Sequence, residues 1–524
     1  MCIRDRASID AFQKMGMFLT DNDHLKISLL EKHFIIYQIL SYLFCRTKNP
    51  EQALCVTELG RARALADLMS SQYSVQKQIS DNPETWVGIG AIMKNERNCT
   101  CLYISYFKNE IHFWILKADT PTHFQYVDVN DFFMGEAKRE VDEVLGSKIF
   151  RRVHALPPDQ CEDRCWVPSK DNRTKGTKPT QEKGCGSWRL VEEDEDVNQV
   201  LELTLADCYK MIVAPVAELL TESEIIIVPD RLLFKVPFAA LEDERGKFLS
   251  ESCRIRIVPS LTTLKLIHDS PSDYHSQTGA LIVGDPEVGE VLYNGCLTLK
   301  PPLHFAREEA EMIGRLIGVH PLLGKQATKQ AVLESINSVS LIHFAAHGNA
   351  ERGEIVLAPA RTTKTTPEEE DYLLTMADIS KVRLRAKLVV LSCCHSANGE
   401  IRAEGVVGIA RAFLGSGARS VLVALWAIED EATKQFMSRF YEHLVSGESA
   451  SESLHQTMKW MRENGYSKVG QWAPFTLIGD NVTFDFGTKG WYQSVIYLTY
   501  FQFDPLPSVR APFLMSSRRL VEVC

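Results

Sequence analysis

Short apolar runs alternate with amphipathic stretches through most of this chain. Residues 224–228, 279–284, 339–343, 387–391 and 420–425 are compact, apolar and rich in β-branched side chains. Such runs read as strands buried on both faces. Between them, apolar positions recur at helical spacing over 306–318, 327–337, 404–416 and 429–446, and residues 190–220 read as a further helix. This alternation predicts an α/β fold with a mainly parallel sheet and helices on both faces. Segment 85–130 alternates with period two instead, through Cys101, Tyr103 and Ser105, then Ile111, Phe113 and Ile115.

The amino-terminal part is helical in pattern. Leu25, Ile27, Leu29, Leu30, Phe34, Ile35, Tyr37 and Leu40 mark one helix over 24–45, and Asn49-Pro50 ends it. A second helix is expected from about Glu51 through Ala53, Leu54, Val56, Leu59, Ala62, Leu65 and Leu68. A single helical hairpin cannot bury its own apolar stripe, so it must dock on something. Residues 155–190 hold Pro157-Pro158, many Lys, Thr and Gly, and Cys161, Cys165 and Cys185. They read as a solvated insertion. The spacing of those cysteines matches no common zinc pattern, so no metal and no cofactor are expected. Thr362–Asp371 is a polar, acidic loop.

Composition narrows the class. The chain has 524 residues, 45% hydrophobic and 24% charged, which is globular. Its net charge of −10 argues against nucleic acid as a partner. No apolar run is long enough for a membrane span and the first residues lack a signal-peptide pattern, so a cytoplasmic protein is expected. Fourteen cysteines are too few for a disulfide scaffold of this length and read as reduced, mostly buried thiols.

Two of the strands stop at reactive residues. One runs into His347-Gly348, the other into Cys393-Cys394-His395. Chemistry in open α/β sheets sits at the carboxyl ends of strands, and a thiol with a nearby imidazole forms a nucleophilic pair. Strand side chains alternate in direction, so only one of the adjacent cysteines can face the crevice. His343 reads as part of its strand.

Further motifs follow the same order as a known module. They are Pro229-Asp230, Pro237-Phe238-Ala239-Ala240-Leu241, Val258-Pro259-Ser260-Leu261 and Val283-Gly284-Asp285-Pro286. Ala306–Ala310, Glu404–Phe413, Ala424-Leu425-Trp426 and Trp472–Asp480 complete the series. Together with the His-Gly and Cys segments, they resemble a CHAT domain, a caspase-like module found attached to tetratricopeptide repeats. The 47 residues between His347 and Cys394 fit the caspase arrangement. Ala53–Arg63 resembles the last repeat before such a domain.

The resemblance implies a caspase-like α/β fold preceded by an α-helical hairpin of repeat type. It implies a tail over 1–22, the hairpin at 23–75, the CHAT domain at 85–486 and a tail of unclear origin at 487–524. Cys394 is then the nucleophile, at the fourth position of the motif, and His347 the base, with the N–H groups of Gly348 and Cys394 as oxyanion hole. Asp285, His395, Glu400, Arg402, Glu404 and Asp430 are the candidates for the substrate pocket. The expected function is a cysteine endopeptidase cleaving a protein substrate selected through the repeats. The alternative is a catalytically silent scaffold binding cytoskeletal or cell-division partners.

Overall fold

The run Leu388–Ser392 is buried along its whole length, and alternate residues enter different cores. Val389 and Leu391 join one, Leu388 and Val390 the other. Alternation of this kind means that helices cover both faces of the strand. The computed structural model describes residues 23–75, 92–132, 139–146, 165–166, 203–349, 353–360, 366–403 and 405–487. The expected tail over 1–22, nearly all of the 155–190 insertion, and residues 488–524 lie outside them.

In chain order the strands are β1 (Cys99–Phe107), β2 (Glu110–Leu116), β3 (His123–Asp128), β4 (Cys165–Trp166), β5 (Glu224–Val228), β6 (Arg254–Ile257) and β7 (Ala280–Pro286). Next come β8 (Gly289–Tyr293), β9 (Cys296–Lys300), β10 (Leu322–Gly324), β11 (Leu341–Ala345), β12 (Gly348–Asn349), β13 (Ile355–Val356) and β14 (Leu373–Leu374). The last are β15 (Leu388–Ser392), β16 (Gly399–Arg402), β17 (Gly405–Gly408), β18 (Ser420–Ala424) and β19 (Phe475–Gly479). Among the described residues eleven form one sheet, in the order β10-β7-β11-β15-β18-β19-β6-β5-β1-β2-β3. Only β18–β19, β1–β2 and β2–β3 pair antiparallel in it, so the sheet is mainly parallel, as expected.

Helix His304–Ile317 shows how the faces are covered. Ala306, Ala310, Ile313 and Ile317 fall at helical spacing and are all buried. Gly318, at φ 74°, ends the helix in the left-handed region that glycine adopts freely. Helices Asp430–Val445 and Ala450–Glu463 share its core, whereas Leu261–His268 and Ile409–Gly415 lie in the opposite one.

Three expected helices differ from what is observed. One is that over 190–220, whose described part is α-helical only over Leu205–Ile212 and then turns into a 3-10 helix at Ala214–Leu219. The helix expected from Glu51 to Leu68 is two helices. With α1 (Asp23–Arg46) preceding, these are α2 (Pro50–Leu59) and α3 (Arg63–Tyr73). The break at Gly60 lets Tyr37 approach the backbone, since a Cβ on Gly60 would stand 2.9 Å from the Tyr37 ring. It also turns Arg61 inward, where Nη1 donates to the carbonyls of Ile104 and Val228 at 3.0 and 3.2 Å. The helix expected over 404–416 begins only at Ile409, because Gly405–Gly408 pairs with Gly399–Arg402 as a hairpin. A Cβ on Gly408 would stand 2.1 Å from the Asn398 carbonyl, so the hairpin needs glycine there.

The helical segment is docked on the sheet domain. Ala62, Leu65, Ala66, Met69 and Tyr73 belong to the same core as β11 and β15. Glu58 accepts from both the backbone and the hydroxyl of Thr262 at 2.6 Å, in the first turn of helix Leu261–His268. On the outer side of α1, Leu25, Ile35 and Ile39 stay exposed. Among the described residues no helix is long and apolar enough to cross a membrane.

Candidate active site

Strands β11 and β15 are parallel neighbours, with Ala345 paired to Ser392 at their carboxyl ends. Two residues beyond each partner stand His347 and Cys394. The chain order and the register therefore bring the imidazole and the thiol to the same end of adjacent strands. Gly348 sharpens this, because a Cβ there would lie 2.3 Å from the Cys394 carbonyl oxygen. Only glycine permits so close a backbone approach. Gly348 opens β12, which pairs antiparallel with β13 and parallel with the short β4.

His347 is 3% exposed, and its Nε2 lies 2.9 Å from the carbonyl oxygen of Pro301. A carbonyl can only accept, so Nε2 carries the proton and Nδ1 is the nitrogen with a lone pair. Pro301 sits three residues ahead of helix His304–Ile317, whose N-cap residue Leu303 has no side-chain acceptor of its own. Two distant carboxylates supply that function. Asp285 Oδ1 accepts from Leu303 N at 2.7 Å, and Asp430 Oδ2 accepts from Phe305 N at 3.3 Å. Carboxylates suit a helix amino end, where N–H groups lack intrahelical partners. Asp285 also accepts from Arg307 Nε at 3.0 Å. Both aspartates are buried and bonded to the first residues of this helix.

Cys394 is fully buried, and Cys393 is equally so but faces the other core. The Cys394 sulfur receives the N–H of Ile428 at 3.4 Å and lies 4.0 Å from the Ile428 carbonyl. Cys393 directs its thiol to the Phe344 carbonyl at 3.6 Å, beside its own strand. The turn after Cys394 is tied to β18. Ser396 Oγ donates to Leu391 O at 3.0 Å and accepts from Ala424 N at 2.8 Å. His395 takes φ 55° in this turn, is partly exposed, and donates its backbone N–H to Trp426 O at 3.3 Å.

Glu400 and Arg402 stand two apart on β16, on one face, and pair with each other at 2.6 Å on the surface. Glu404 lies outside the described residues. The β16–β17 hairpin is reached by α1, whose Glu31 accepts from Ala403 N at 2.6 Å. Asp23 on the same helix makes a two-pronged ion pair with Arg411 at 2.7 and 3.0 Å. His343 is buried between Glu309 at 2.9 Å and the Tyr441 hydroxyl at 3.1 Å.

A second polar cluster lies at the opposite ends of the strands. Glu96, His268 and Asp480 come within ligand distance of one another. The buried Arg256 guanidinium occupies their midst, 2.5 Å from Glu96, 2.8 Å from Glu224 and 3.8 Å from Asp480. Arg419 adds a 2.7 Å bond to Asp480. These cations balance the charge of the carboxylates. Burial opposes the charged form of His268, but hydrogen bonds to Asp480 and Glu96 outweigh it and push its pKa up to about 9. Asp480 is held well below the usual carboxylate range. Burial works against this, and the bond to His268 with the charges of Arg256 and Arg419 wins.

The sequence did not point to Pro301, and it offered Asp285 and Asp430 as substrate-pocket candidates rather than as acceptors at the start of a helix. The Pro301-Pro302 pair ahead of an amphipathic run was the available signal, since proline pairs mark a fixed approach to a helix.

The family model described as "CHAT domain" matches residues 203–480. Tetratricopeptide repeat protein 28 of Mus musculus is 27% identical over 559 residues, covering 87% of this chain and 23% of that protein. The Homo sapiens protein of the same name is 26% identical over 559 residues, covering 87% and 22%. The chain thus spans less than a quarter of the length of the curated relatives it matches. Among solved structures, the Saccharomyces cerevisiae separase–securin complex gives a TM-score of 0.49 at 12% identity, over 92% of this chain and 38% of that one. The Arg-specific cysteine proteinase gingipain R gives 0.33 at 14% identity, over 49% and 63%.

Proposed function

The chain belongs to the CHAT domain family, and from that premise we propose that it is a caspase-like cysteine endopeptidase acting through Cys394 and His347. The observation that carries the reading is the register of β11 and β15, which sets both residues at one end of neighbouring parallel strands with Gly348 against Cys394. In this mechanism Nδ1 of His347 takes the thiol proton and the sulfur attacks the scissile carbonyl. The N–H groups of Gly348 and Cys394 hold the oxyanion, each donor being worth about 3 kcal/mol in the transition state. Collapse breaks the C–N bond, and His347 returns the proton to the leaving amine. Water, deprotonated by the same imidazole, then hydrolyses the thioester.

Pro301 keeps the imidazole in the tautomer this requires, and Asp285 and Asp430 act as positioning residues through the start of helix His304–Ile317. His395, Glu400, Arg402 and Glu404 remain the candidates for direct substrate contact on the loop and hairpin after the nucleophile. The partner is a protein, selected through the helical segment, which reaches this hairpin through Glu31 and the helix after it through Asp23.

A second reading, a silent domain in a scaffold, is favoured by the complete burial of Cys394 beneath Ile428. A peptidyl acyloxymethyl ketone separates the two. The peptidase reading expects its thioether on Cys394 and at least tenfold slower labelling in His347→Ala. An unlabelled Cys394, with full reaction at other thiols of the same preparation, supports the scaffold.

A further inference from the structure

The β8–β9 hairpin was absent from the sequence reading, and its outer edge has no role in the chemistry above. Asn294 at φ 48° and Gly295 at φ 71° form its two-residue turn, closed by the pair Tyr293 and Cys296. In such a hairpin the closing pair is hydrogen-bonded and the pairs then alternate. Cys296, Thr298 and Lys300 therefore bond to β8. The backbone N–H and C=O groups of Leu297 and Leu299 point the other way.

The same alternation is visible on β8. The outward groups of Leu292 are filled, its N–H donating to Pro367 O at 2.8 Å and its carbonyl accepting from the Tyr372 hydroxyl at 3.0 Å. The inner face is filled too, since Val291 and Tyr293 pack with Val356, Tyr372 and Leu373. Asn349, in the strand that begins at Gly348, donates to the Tyr293 hydroxyl at 3.0 Å. The hairpin is thus fixed by its β8 edge and by the face of Val291 and Tyr293. Among the described residues no strand pairs with the outer edge of β9.

That edge is apolar as well as open. Leu297 is 58% exposed and Leu299 is 67% exposed. Exposed edges are normally guarded by charge, proline or a bulge. Here the only charged residue of β9 is Lys300, which is buried. The strand also leads directly to the chemistry, because the next residue is Pro301, whose carbonyl holds His347. At about 3.3 Å per residue, Leu299 lies about 7 Å and Leu297 about 13 Å along the chain from Pro301.

We infer that the outer edge of β9 is the docking strand for the protein substrate, which adds an extended segment with apolar side chains at alternate positions opposite Leu297 and Leu299. This rests on the peptidase reading for the word substrate. Main-chain pairing supplies affinity and the two leucines select apolar partners, as in other strand-addition sites. The outer edge of β8 and the face of Val291 and Tyr293 are occupied by this chain, whereas the face of Leu297 and Leu299 is open together with the β9 edge. Continuity with Pro301 is what assigns the open edge to a polypeptide on its way to Cys394.

The test separates binding from cleavage. The full chain carrying Cys394→Ala is panned against a phage-displayed library of random decapeptides, and enriched peptides are synthesised as probes. Enrichment of sequences with apolar residues at alternate positions is expected. Hydrogen exchange should show the amides of Leu297 and Leu299 open in the free chain and protected at least tenfold by the probes. Leu299→Pro removes an outward N–H while sparing the bonds to β8, so probe affinity should fall at least tenfold. Leu297→Asn with Leu299→Asn keeps the backbone donors and should lose the apolar selectivity.

The proposal is overturned if no peptide is enriched, or if protection falls elsewhere. It is also overturned if both amides are already protected in the free chain, or if light scattering shows a dimer that Leu299→Pro abolishes. In those last two cases the occupant is another segment of this chain or a second copy. Probes that bind this edge but are never cleaved by the unmutated chain sink the peptidase reading and leave the docking strand standing.

Discussion

The carbonyl oxygen of Pro301 accepts the Nε2 proton of His347 at 2.9 Å, and this one bond decides which imidazole nitrogen can act as a base. It reaches the site from a loop 46 residues upstream of the histidine. The loop in turn is held by Asp285 through Leu303.

Asp285→Ala should therefore weaken catalysis without touching substrate. A loosened imidazole is expected to cost about tenfold or more in kcat with little change in KM. Asp285→Asn keeps an acceptor for Leu303 N–H and suits the positive φ of 45° at this position, so it should recover most of the loss. Equal damage in the two variants would remove the positioning role.

The two adjacent cysteines should differ in reactivity. Cys393 lies in the core with Ile342 and Phe344, whereas Cys394 lies in the opposite core, two residues beyond the end of β15. Iodoacetamide near neutral pH should label Cys394 faster than Cys393, with the sites read by mass spectrometry. Burial pushes Cys208 and Cys253 up to about 12, so both should lag far behind. Preferential labelling of Cys393 would reverse the assignment.

Stability should fall in alkali through His268. Its folded pKa of about 9 lies above the ordinary value, so its contribution is complete below about pH 6.5 and is lost as pH rises through 9. Thermal melts from pH 6 to 10 should show this decline, and His268→Gln should flatten it. Asp480 contributes with the opposite sense, since its lowered pKa stabilises above the usual carboxylate range and the effect is lost only in acid. An unchanged alkaline slope in His268→Gln would place the dependence elsewhere.

The helical segment should be inseparable from the sheet domain. Glu58→Ala leaves the buried amide and hydroxyl of Thr262 without their acceptor, at a cost of about 1–3 kcal/mol. Removing residues 1–75 takes Leu65, Met69 and Tyr73 out of the core shared with β11 and should lower the melting temperature further. Equal melting temperatures with and without the segment would contradict the docking.

Periodicity found the strands that matter. Glu224–Val228 appears as expected, and β11 and β15 differ only by small shifts at their ends, which pattern cannot fix. It failed where a tertiary contact decides. Nothing in the run from Glu51 to Leu68 announces that Arg61 will turn inward to two distant carbonyls, so the break at Gly60 stayed hidden. Gly405 and Gly408 were read inside a helix because the apolar spacing of 406–413 fits one, while the close backbone approach at Gly408 is invisible in sequence. Pro301 acts through its carbonyl, a group that every residue carries, so the Pro301-Pro302 pair could mark the approach to a helix but not this role. Asn294-Gly295 was different, because that pair is a strong hairpin signal and could have been read.

The central claim is that Cys394 and His347 work as one catalytic unit, and a double-mutant measurement of peptide hydrolysis tests it most directly. Using a quenched-fluorescent peptide library, the account predicts amide cleavage by the unmodified chain and a similar, near-complete loss in Cys394→Ala and His347→Ala. The double variant should be little worse than either, because members of one unit lose activity together. Cleavage that survives in Cys394→Ala, or losses that multiply in the double variant, would contradict it.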